Sequence, residues 1–423
     1  MKHVTSRRRF LKQTASVTGG LLAAPHIVAA STLGLQDGPG ANEQVVIGFI
    51  GCGGRARQLM DHVPEDGRIV AICDSYVQRT VDTLREKGTE WNTYQYYDQM
   101  FDRETLDAVV VATPDHARVL PAIRCCQAGY DVYAEKPLTL TVAEGRVLVD
   151  HARKNETVFQ VGSQQRTMEM NRFACELVRS GGIGKLKLVQ GVCYPGPRDD
   201  DGLPEQPVPE GDDWDVWQGQ TPFRPFHNSL QFGWMQWRTY SGGEMTNWGA
   251  HGVDQIQWAL GASETGPVEI RPLTPGPNGR VEMTYADGAI VRYELEGGGP
   301  MGGGIFTGED CKIEINRNKF TTNPPDFVQD GPSPAEAAEW EGAGWVARPH
   351  IQNWLDCIKT RERPNADVEI GHRSISVCHL ANIARLLGRP LAWDPDREIF
   401  PNDAEACTYL DRPKRKGYEL PEV

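Results

Sequence analysis

Short apolar runs rich in β-branched residues alternate with helix-length amphipathic stretches through the first part of the chain. Five such runs begin at residues 45, 68, 106, 130 and 157: VVIGFIG, RIVAICD, LDAVVVATP, YDVYAEKP and TVFQVGSQ. Parallel strands joined by helices give this alternation, because each crossover needs a connection of helix length. The pattern predicts an α/β unit with a parallel sheet over residues 44–163.

The pattern changes from about residue 164 onward, where predicted strands follow one another in pairs. The stretch RVEMTYADGAIVRYELEGG predicts a hairpin around Asp287-Gly288, and GIFTGEDCKIEINRNKF predicts a strand pair that turns at residues 308–310. Consecutive hairpins indicate an antiparallel sheet. Helices are predicted in NRFACELVRSGG and, near the end, in IQNWLDCIKT and HRSISVCHLANIARLLG. Residues 164–423 are therefore predicted to form a second α/β domain with a helical C-terminal segment.

The first thirty residues have the pattern of an export signal. The stretch SRRRFLK precedes a weakly apolar run without acids that ends in Val28-Ala29-Ala30. This order is typical of a twin-arginine signal, which serves folded cargo. We expect cleavage after Ala30, a linker over residues 31–43, and a periplasmic or other extracytoplasmic location. A basic tail without a targeting role is the alternative.

Length, charge and hydropathy bear on the number of domains and on the expected partners. Cleavage would leave about 390 residues, more than one core usually organises, so two domains are expected. Loss of five basic residues would change the formal charge from −13 to −18, which disfavours nucleic acid as a partner. No later run is long enough to span a bilayer, so we expect no integral membrane segment.

The ten cysteines and the acidic run Asp199-Asp200-Asp201 give no sign of a metal or disulfide site. No C-x-x-C pair occurs, and most of the cysteines lie in apolar runs. We therefore expect buried thiols, no bound metal, and a solvated acidic turn.

A glycine-rich turn, G-x-G-x-x-A, directly follows the first predicted strand. Its first glycine permits a tight turn, its second lets the backbone approach a pyrophosphate, and its alanine allows close helix packing. Asp74 ends the second strand, 23 residues after Gly51, where a carboxylate would bind an adenosine ribose and repel a 2′-phosphate. The pattern predicts NAD, with NADP less favoured, although the nearby Arg79 softens that preference. The predicted contacts in this turn are Gly51, Gly53, Gly54, Arg55 and Ala56.

Two later strands end in polar motifs, ATPDH and AEKP. Ligands bind beyond the carboxyl ends of parallel strands, so we expect both motifs at the nicotinamide end of the cofactor. A lysine there is unfavourable unless its ammonium reaches a polar partner or a ligand, and a salt bridge is the alternative for Lys136. The predicted cofactor-binding residues of these motifs are Thr113, Pro114, His116, Glu135 and Lys136.

A long connection over residues 194–243 is rich in tryptophan and arginine. Tryptophan faces stack on sugars, and arginine or histidine side chains bond hydroxyls or a carboxylate. Alternatively, the tryptophans pin the connection onto its own domain or a neighbouring subunit. From this connection we predict His227, Trp237 and Arg238 as substrate-binding residues.

The stretch NWGAHGVD follows this connection. On a helix, Asn247, His251 and Asp254 share one face, at i, i+4 and i+7. A histidine beside an amide and a carboxylate is a candidate for proton transfer, and a packing role is the alternative. We add Asp254 and Arg166 to the predicted substrate-binding set.

Through GCGGRA, ICD, ATPDH, AEKP and GGEMTNWGAHGVD, essentially the whole mature chain resembles the Gfo/Idh/MocA oxidoreductases. The resemblance implies a Rossmann domain, then an α/β domain whose large open, mostly antiparallel sheet covers the substrate, and it implies homo-oligomers. It also implies that Lys136 and His251 act on the hydroxyl being oxidised. Asn247 stands where the family has aspartate, which removes a negative charge beside His251 unless Asp254 supplies one. Lys136, His251 and Asn247 are thus the predicted catalytic residues, with His251, at a nearly unaltered pKa, as the base.

These features predict hydride transfer between a secondary alcohol of a sugar or polyol and NAD. An exported protein has no cofactor pool to exchange with, so we expect the NAD to be tightly bound. Two alternatives stay open: an NAD-using lyase, epimerase or glycosidase that oxidises a sugar transiently, and a non-catalytic sugar or nucleotide binder.

Overall fold

A computed structural model describes residues 43–199, 202–297, 299–332 and 347–423. The predicted signal over residues 1–30 lies outside these ranges. The predicted linker also lies outside them except for Glu43, as do Asp200 and Asp201 of the acidic run.

The first domain contains a six-stranded parallel sheet in the order β3-β2-β1-β4-β5-β6. Its strands are β1 (Val45–Ile50), β2 (Gly67–Cys73), β3 (Asn92–Tyr94), β4 (Ala108–Val111), β5 (Asp131–Ala134) and β6 (Phe159–Val161). Strands β1, β4 and β5 are buried along their whole length, which explains their continuous apolar runs. The strand order reverses between β1 and β4, where such sheets bind ligands. The parallel sheet is confirmed, and β3 is an additional short strand.

The helices that connect these strands are α1 (Gly54–Met60), α2 (Val77–Lys87), α3 (Tyr97–Arg103), α4 (Val119–Ala128) and α5 (Val142–Lys154). The turn from β1 to α1 requires glycine at position 51. Its φ is +96°, and a Cβ there would lie 2.7 Å from the carbonyl oxygen of Ala112.

The second half contains an eight-stranded sheet in the order β13-β12-β11-β7-β10-β9-β8-β14. Its strands are β7 (Leu188–Val192), β8 (Glu269–Pro272), β9 (Val281–Thr284), β10 (Ile290–Leu295), β11 (Gly304–Thr307), β12 (Lys312–Asn316), β13 (Lys319–Asn323) and β14 (Leu391–Ala392). Strands β7 and β10 pair in parallel, and the other pairs of this sheet are antiparallel. The predicted hairpin β9–β10 and the predicted pair β11–β12 are confirmed. Strand β13 extends that pair to a third strand, and β8 and β14 lie outside the predicted stretches.

Several helices pack against this second sheet, and one helix packs against the first sheet instead. The helices are α6 (Glu169–Arg179), α7 (Trp214–Gln218), α8 (Asn228–Phe232), α9 (Glu244–Ala259), α10 (Arg348–Thr360), α11 (Val368–Leu387) and α12 (Ala404–Cys407). Helix α9 packs against α6, α11 and β7, and most of its residues are buried. Helix α10 lies in the second domain's range by sequence, yet Ile351, Trp354 and Leu355 share a core with β1.

All ten cysteines lie within the described residues as free thiols, eight of them buried, as expected. No helix in this described part has both the length and the apolar character to cross a membrane. Among the same residues, no group of three His, Cys, Asp or Glu side chains could hold a metal ion.

Candidate active site

A cavity of about 950 Å³ extends from the carboxyl ends of β1, β2 and β4 to the first turns of α9. Its size suits a small-molecule or cofactor site. The first domain lines one wall, and α9, the β12–β13 turn and the 194–243 connection line the opposite wall. The predicted residues at this cavity are Gly51, Gly53, Gly54, Arg55, Asp74, Thr113, Pro114, Glu135, Lys136, Asn247 and His251.

The glycine turn leaves room for a ligand at the start of α1. A Cβ at Gly53 or Gly54 would meet no atom within 4 Å, so the backbone faces open space. Gly53 caps α1 without a side-chain hydrogen bond, which leaves N–H groups of the first turn available to a phosphate. Ala56 is fully buried beneath this turn and packs in the core with β1.

Asp74 is fixed at the cavity wall just beyond β2. Its carboxylate accepts hydrogen bonds from the N–H groups of Cys52 (2.8 Å) and Tyr76 (3.0 Å). Burial raises its pKa, against the opposing influence of Arg79, whose Nη1 lies 3.9 Å away. Together with the glycine turn, this carboxylate fits the phosphates and the adenosine ribose of a dinucleotide.

Two segments from the second half close over this end of the cavity. Residues 211–220 and 415–418, here called the cover, both contribute to the cavity wall. Tyr96 donates a hydrogen bond to Asp213 (2.9 Å), and the N–H of Val77 donates to the carbonyl of Gly211 (3.0 Å). The two parts of the cover are also bound together, since the N–H of Arg415 donates to the carbonyl of Gln220 (3.0 Å).

The opposite end of the cavity centres on the AEKP motif beyond β5. Burial disfavours ionisation of Glu135, but the positive charges of Arg55, Lys136 and Arg118 outweigh burial and lower its pKa. Arg55 Nε lies 2.8 Å from Glu135. Lys136 Nζ donates to the side-chain oxygen of Asn247 (2.8 Å), and burial lowers the pKa of Lys136 to about 8.

His251 is buried beside cations. Burial, then the charges of Lys136, Arg317 and Arg55, lower its pKa well below the usual value. Its Nε2 lies 3.3 Å from Nη2 of Arg317, and because a guanidinium can only donate, Nε2 is the acceptor. The expectation of a nearly unaltered histidine pKa is therefore wrong, since the charge that Asn247 lacks is not supplied by Asp254.

Asp254 and Arg166 are not in the cavity, contrary to the predicted substrate-binding roles. Arg166 Nε lies 2.9 Å from both carboxylate oxygens of Asp254, and Ser374 donates to the same carboxylate (2.8 Å). Both members of the pair are almost fully buried. Asp254 does lie on the same helix as Asn247, seven residues later. Its side chain, however, is buried between α9 and α11, where it contacts Ser374.

His116 does not line the cavity either, contrary to its predicted role in cofactor binding. It is fully buried behind the cavity wall, where its Nε2 lies 2.8 Å from the carbonyl of Trp217 and its ring packs against Trp217 and Tyr240. Burial lowers its pKa to about 4. It anchors the 194–243 connection to the first domain.

The three residues predicted from that connection do not line the cavity either. His227 caps α8 by accepting from the N–H of Ser229 (3.0 Å), Trp237 donates to the carbonyl of Ser229 (2.7 Å), and Arg238 pairs with Asp199 (2.7 Å). These residues fit the alternative expectation, in which side chains of the connection hold it against its own domain. A separate hydrophobic core within the connection fits it too, and consists of Trp214, Trp217, Phe226, Leu230 and Tyr240. Trp217 and Trp234 reach the cavity wall instead.

Arg317 is a charged residue of the cavity that the sequence prediction missed. It lies in the turn between β12 and β13, and its guanidinium sits 5.1 Å from the ring centroid of Trp248. Burial, then the charge of Arg55, lower its pKa to about 10. A polar turn gives no sign of such a role, because only the sheet brings it to α9.

Comparison with known proteins agrees with this architecture. Residues 45–163 match the model for the NAD-binding Rossmann fold of the Gfo/Idh/MocA oxidoreductase family, and residues 198–420 match the model for its C-terminal α/β domain. A relative from Shewanella sp. (strain MR-4), named glycosyl hydrolase family 109 protein 1, is 27% identical over 206 residues, which are 44% of this chain. The match spans 45% of that relative, so the chain aligns with about half its length.

Two solved structures share the fold. The aldose-aldose oxidoreductase from Caulobacter crescentus, complexed with glycerol, has a TM-score of 0.60 at 18% identity and covers 82% of this chain and 99% of its own. The WlbA dehydrogenase from Bordetella pertussis, in complex with NADH and UDP-GlcNAcA, has a TM-score of 0.61 at 17% identity, with coverages of 84% and 99%. Because the two family models match the first and the second half of the chain in the expected order, the chain belongs to the Gfo/Idh/MocA oxidoreductase family.

Proposed function

We propose that the protein transfers a hydride between a secondary alcohol carbon of a sugar or polyol and a nicotinamide dinucleotide held in the cavity. The observation that carries the proposal is the placement of Lys136: its amine lies at the end of β5, in the same cavity wall as His251, and 2.8 Å from the side-chain oxygen of Asn247. Burial lowers the pKa of this amine to about 8, which suits proton exchange near neutral pH. NAD, favoured over NADP because of Asp74, supplies the hydride acceptor when bound.

In this proposal Lys136, rather than His251, takes the proton from the hydroxyl. Asn247 holds the amine through its side-chain oxygen at 2.8 Å and its backbone carbonyl at 3.3 Å. A neutral amide at this position leaves the lysine pKa low, whereas a carboxylate would stabilise the ammonium. As the carbonyl forms, the protonated amine stabilises the charge on the oxygen.

His251 has a different part. With Arg317 donating to Nε2, its proton lies on Nδ1 and the imidazole stays neutral near pH 7. It orients the alcohol by hydrogen bonding and takes no proton itself. Replacement of His251 by Gln therefore lowers the rate without moving the pH midpoint of hydride transfer.

The cover supports a retained cofactor. Residues 211–220 and 415–418 close over the Asp74 end of the cavity through the bonds of Tyr96, Val77 and Arg415. The predicted export signal is consistent with the same proposal, since a protein carried folded across a membrane would take its cofactor along. Export itself and a homo-oligomeric state stay predictions from the sequence.

A second candidate is redox-neutral chemistry, in which the sugar is oxidised, altered and reduced again. The name of the Shewanella relative, a glycosyl hydrolase, favours it. In that case hydrolysis of a glycosidic bond consumes one water, and the hydride returns to the same sugar, so no net reduction accumulates.

One experiment tests the proposal. The protein, purified with its bound cofactor, is mixed with neutral and acidic sugars and their glycosides while absorbance at the reduced-nicotinamide band and products by NMR are followed. Net oxidation gives a lasting rise in absorbance, and the redox-neutral route gives product without one. Lys136→Met abolishes both. Sugar binding without either signal would identify a binder and overturn the proposal.

A further inference from the structure

We propose that the sugar bound in this cavity carries an anionic group, a carboxylate or a phosphate ester, and that Arg317 binds it. The inference rests on the proposed function, because it names the substrate class of the same cavity. It also makes Arg317 the residue that selects among sugars.

The first observation is the placement of Arg317. The turn between β12 and β13 carries this side chain to the start of α9, where it lines the same cavity as Lys136 and His251. The guanidinium lies 5.1 Å from the centroid of Trp248, and its Nε donates to Gln165 (3.3 Å). An arginine held over an aromatic ring is pre-organised for planar, bidentate recognition of an anion.

The second observation is the charge balance at this end of the cavity. Three cationic side chains lie close together there: Arg55, Lys136 and Arg317. Glu135, the carboxylate of the AEKP motif, lies 2.8 Å from Arg55. Glu135 also acts on Arg317, and Asp115 acts on Lys136 from behind the wall, where it lies 3.6 Å from Arg118. Among the described residues that line the cavity, the other carboxylates, Asp74 and Asp98, lie at the ribose end.

This concentration of positive charge contrasts with the chain as a whole, whose formal charge is −13. Burial lowers the pKa of Lys136 to about 8 and that of Arg317 to about 10, so both cations are held at a desolvation cost. An anion on the substrate would offset that cost at Arg317. A neutral sugar would leave it in place, which gives the cavity a basis for discrimination.

A competing role for Arg317 is contact with the dinucleotide phosphates, since Arg55 influences its pKa and lies beside the glycine turn. The two roles predict different losses. A substrate contact affects sugar affinity alone, whereas a cofactor contact affects dinucleotide affinity.

The test uses the holoprotein and three matched ligands: glucuronate, glucose 6-phosphate and glucose, with the galactose set as a second series. Affinities are measured by calorimetry, and nicotinamide absorbance is followed separately. We expect one anionic class to bind at least tenfold more tightly than its neutral counterpart. Arg317→Gln should weaken that binding on the order of 100-fold, as for loss of a charge-assisted bidentate contact. Arg317→Lys should recover part of it.

Two further measurements separate the possible outcomes. Arg280→Gln, a matched change at an arginine whose side chain bonds only weakly to Glu296 (3.4 Å), should leave all affinities unchanged. Dinucleotide affinity should stay within twofold in Arg317→Gln. Equal binding of neutral and anionic sugars, no binding of any anionic sugar, or a loss confined to the dinucleotide would overturn the inference. Binding that depends on Arg317 but causes no redox change or product would instead overturn the proposed function and leave the inference standing.

Discussion

Replacing Asn247 by aspartate should raise the pKa of Lys136. The side-chain oxygen of Asn247 lies 2.8 Å from Lys136 Nζ, so the substitution sets a carboxylate against the ammonium. At this distance and an effective dielectric of 20, the Coulomb attraction is about 6 kcal/mol, an upper bound because the new carboxylate is itself desolvated. Opposite charges this close shift a pKa by about 1–3 units. We therefore expect a rise of about 2 units, from the present pKa of about 8 to about 10.

The assay needs no known substrate. The protein is labelled with ¹³C at the ε-carbon of lysine, the Lys136 signal is assigned by its loss in Lys136→Met, and its chemical shift is followed from pH 6 to pH 11. Once a substrate is known, the same shift should appear in the rate of hydride transfer. With a pKa 2 units higher, the neutral amine at pH 7 is roughly 100-fold scarcer, and the oxidation rate should fall by about that factor.

Asn247→Ala provides the matched control, because it removes the hydrogen bond without adding charge. In this variant the titration midpoint of Lys136 should stay near pH 8. An unchanged midpoint in Asn247→Asp, or a wild-type midpoint near the ordinary lysine value, would refute the electrostatic reasoning for this site.

Three further outcomes are expected. Asp254→Asn should destabilise the protein by about 3–5 kcal/mol, because it leaves Arg166 buried without its countercharge; urea unfolding measures this, and unchanged stability with lost sugar affinity would restore a substrate role. Tyr96→Phe, which removes a hydrogen bond to the cover worth about 1 kcal/mol, should speed cofactor release about fivefold in dilution experiments, whereas the same change at the exposed Tyr409 should have no effect. Asp74→Ser should weaken NAD binding roughly tenfold and improve NADP binding by fluorescence titration; a parallel loss for both would contradict a ribose contact.

Local pattern was sufficient for most of the fold. Buried parallel strands give continuous apolar runs, and hairpins give turn residues such as Asp287-Gly288, so both kinds of sheet could be predicted. Strand β3 could not, since its three residues NTY are exposed or half-exposed. The packing of α10 against the first sheet could not be predicted either, because it depends on tertiary contacts of Trp354 that the local sequence pattern does not show.

The candidate site divides in the same way. Residues that follow a strand, such as Asp74 and Lys136, were predictable because the sheet fixes where its carboxyl ends lie. Asp254 and His116 have chemically suitable side chains and suitable spacing, yet their partners Arg166 and Trp217 are distant in sequence. Arg317 reaches the cavity only through the pairing of β12 with its neighbours, so its role could not be read from a polar turn.

In the proposed reaction a retained nicotinamide exchanges a hydride with a sugar, and Lys136 exchanges a proton with it. The most direct measurement is a single-turnover absorbance experiment on protein purified without added cofactor. We expect co-purifying NAD, reduction of that NAD on mixing with a reactive sugar, and no reduction in Lys136→Met. Protein that contains no dinucleotide and binds none when it is added, or reduction that persists in Lys136→Met, would contradict it.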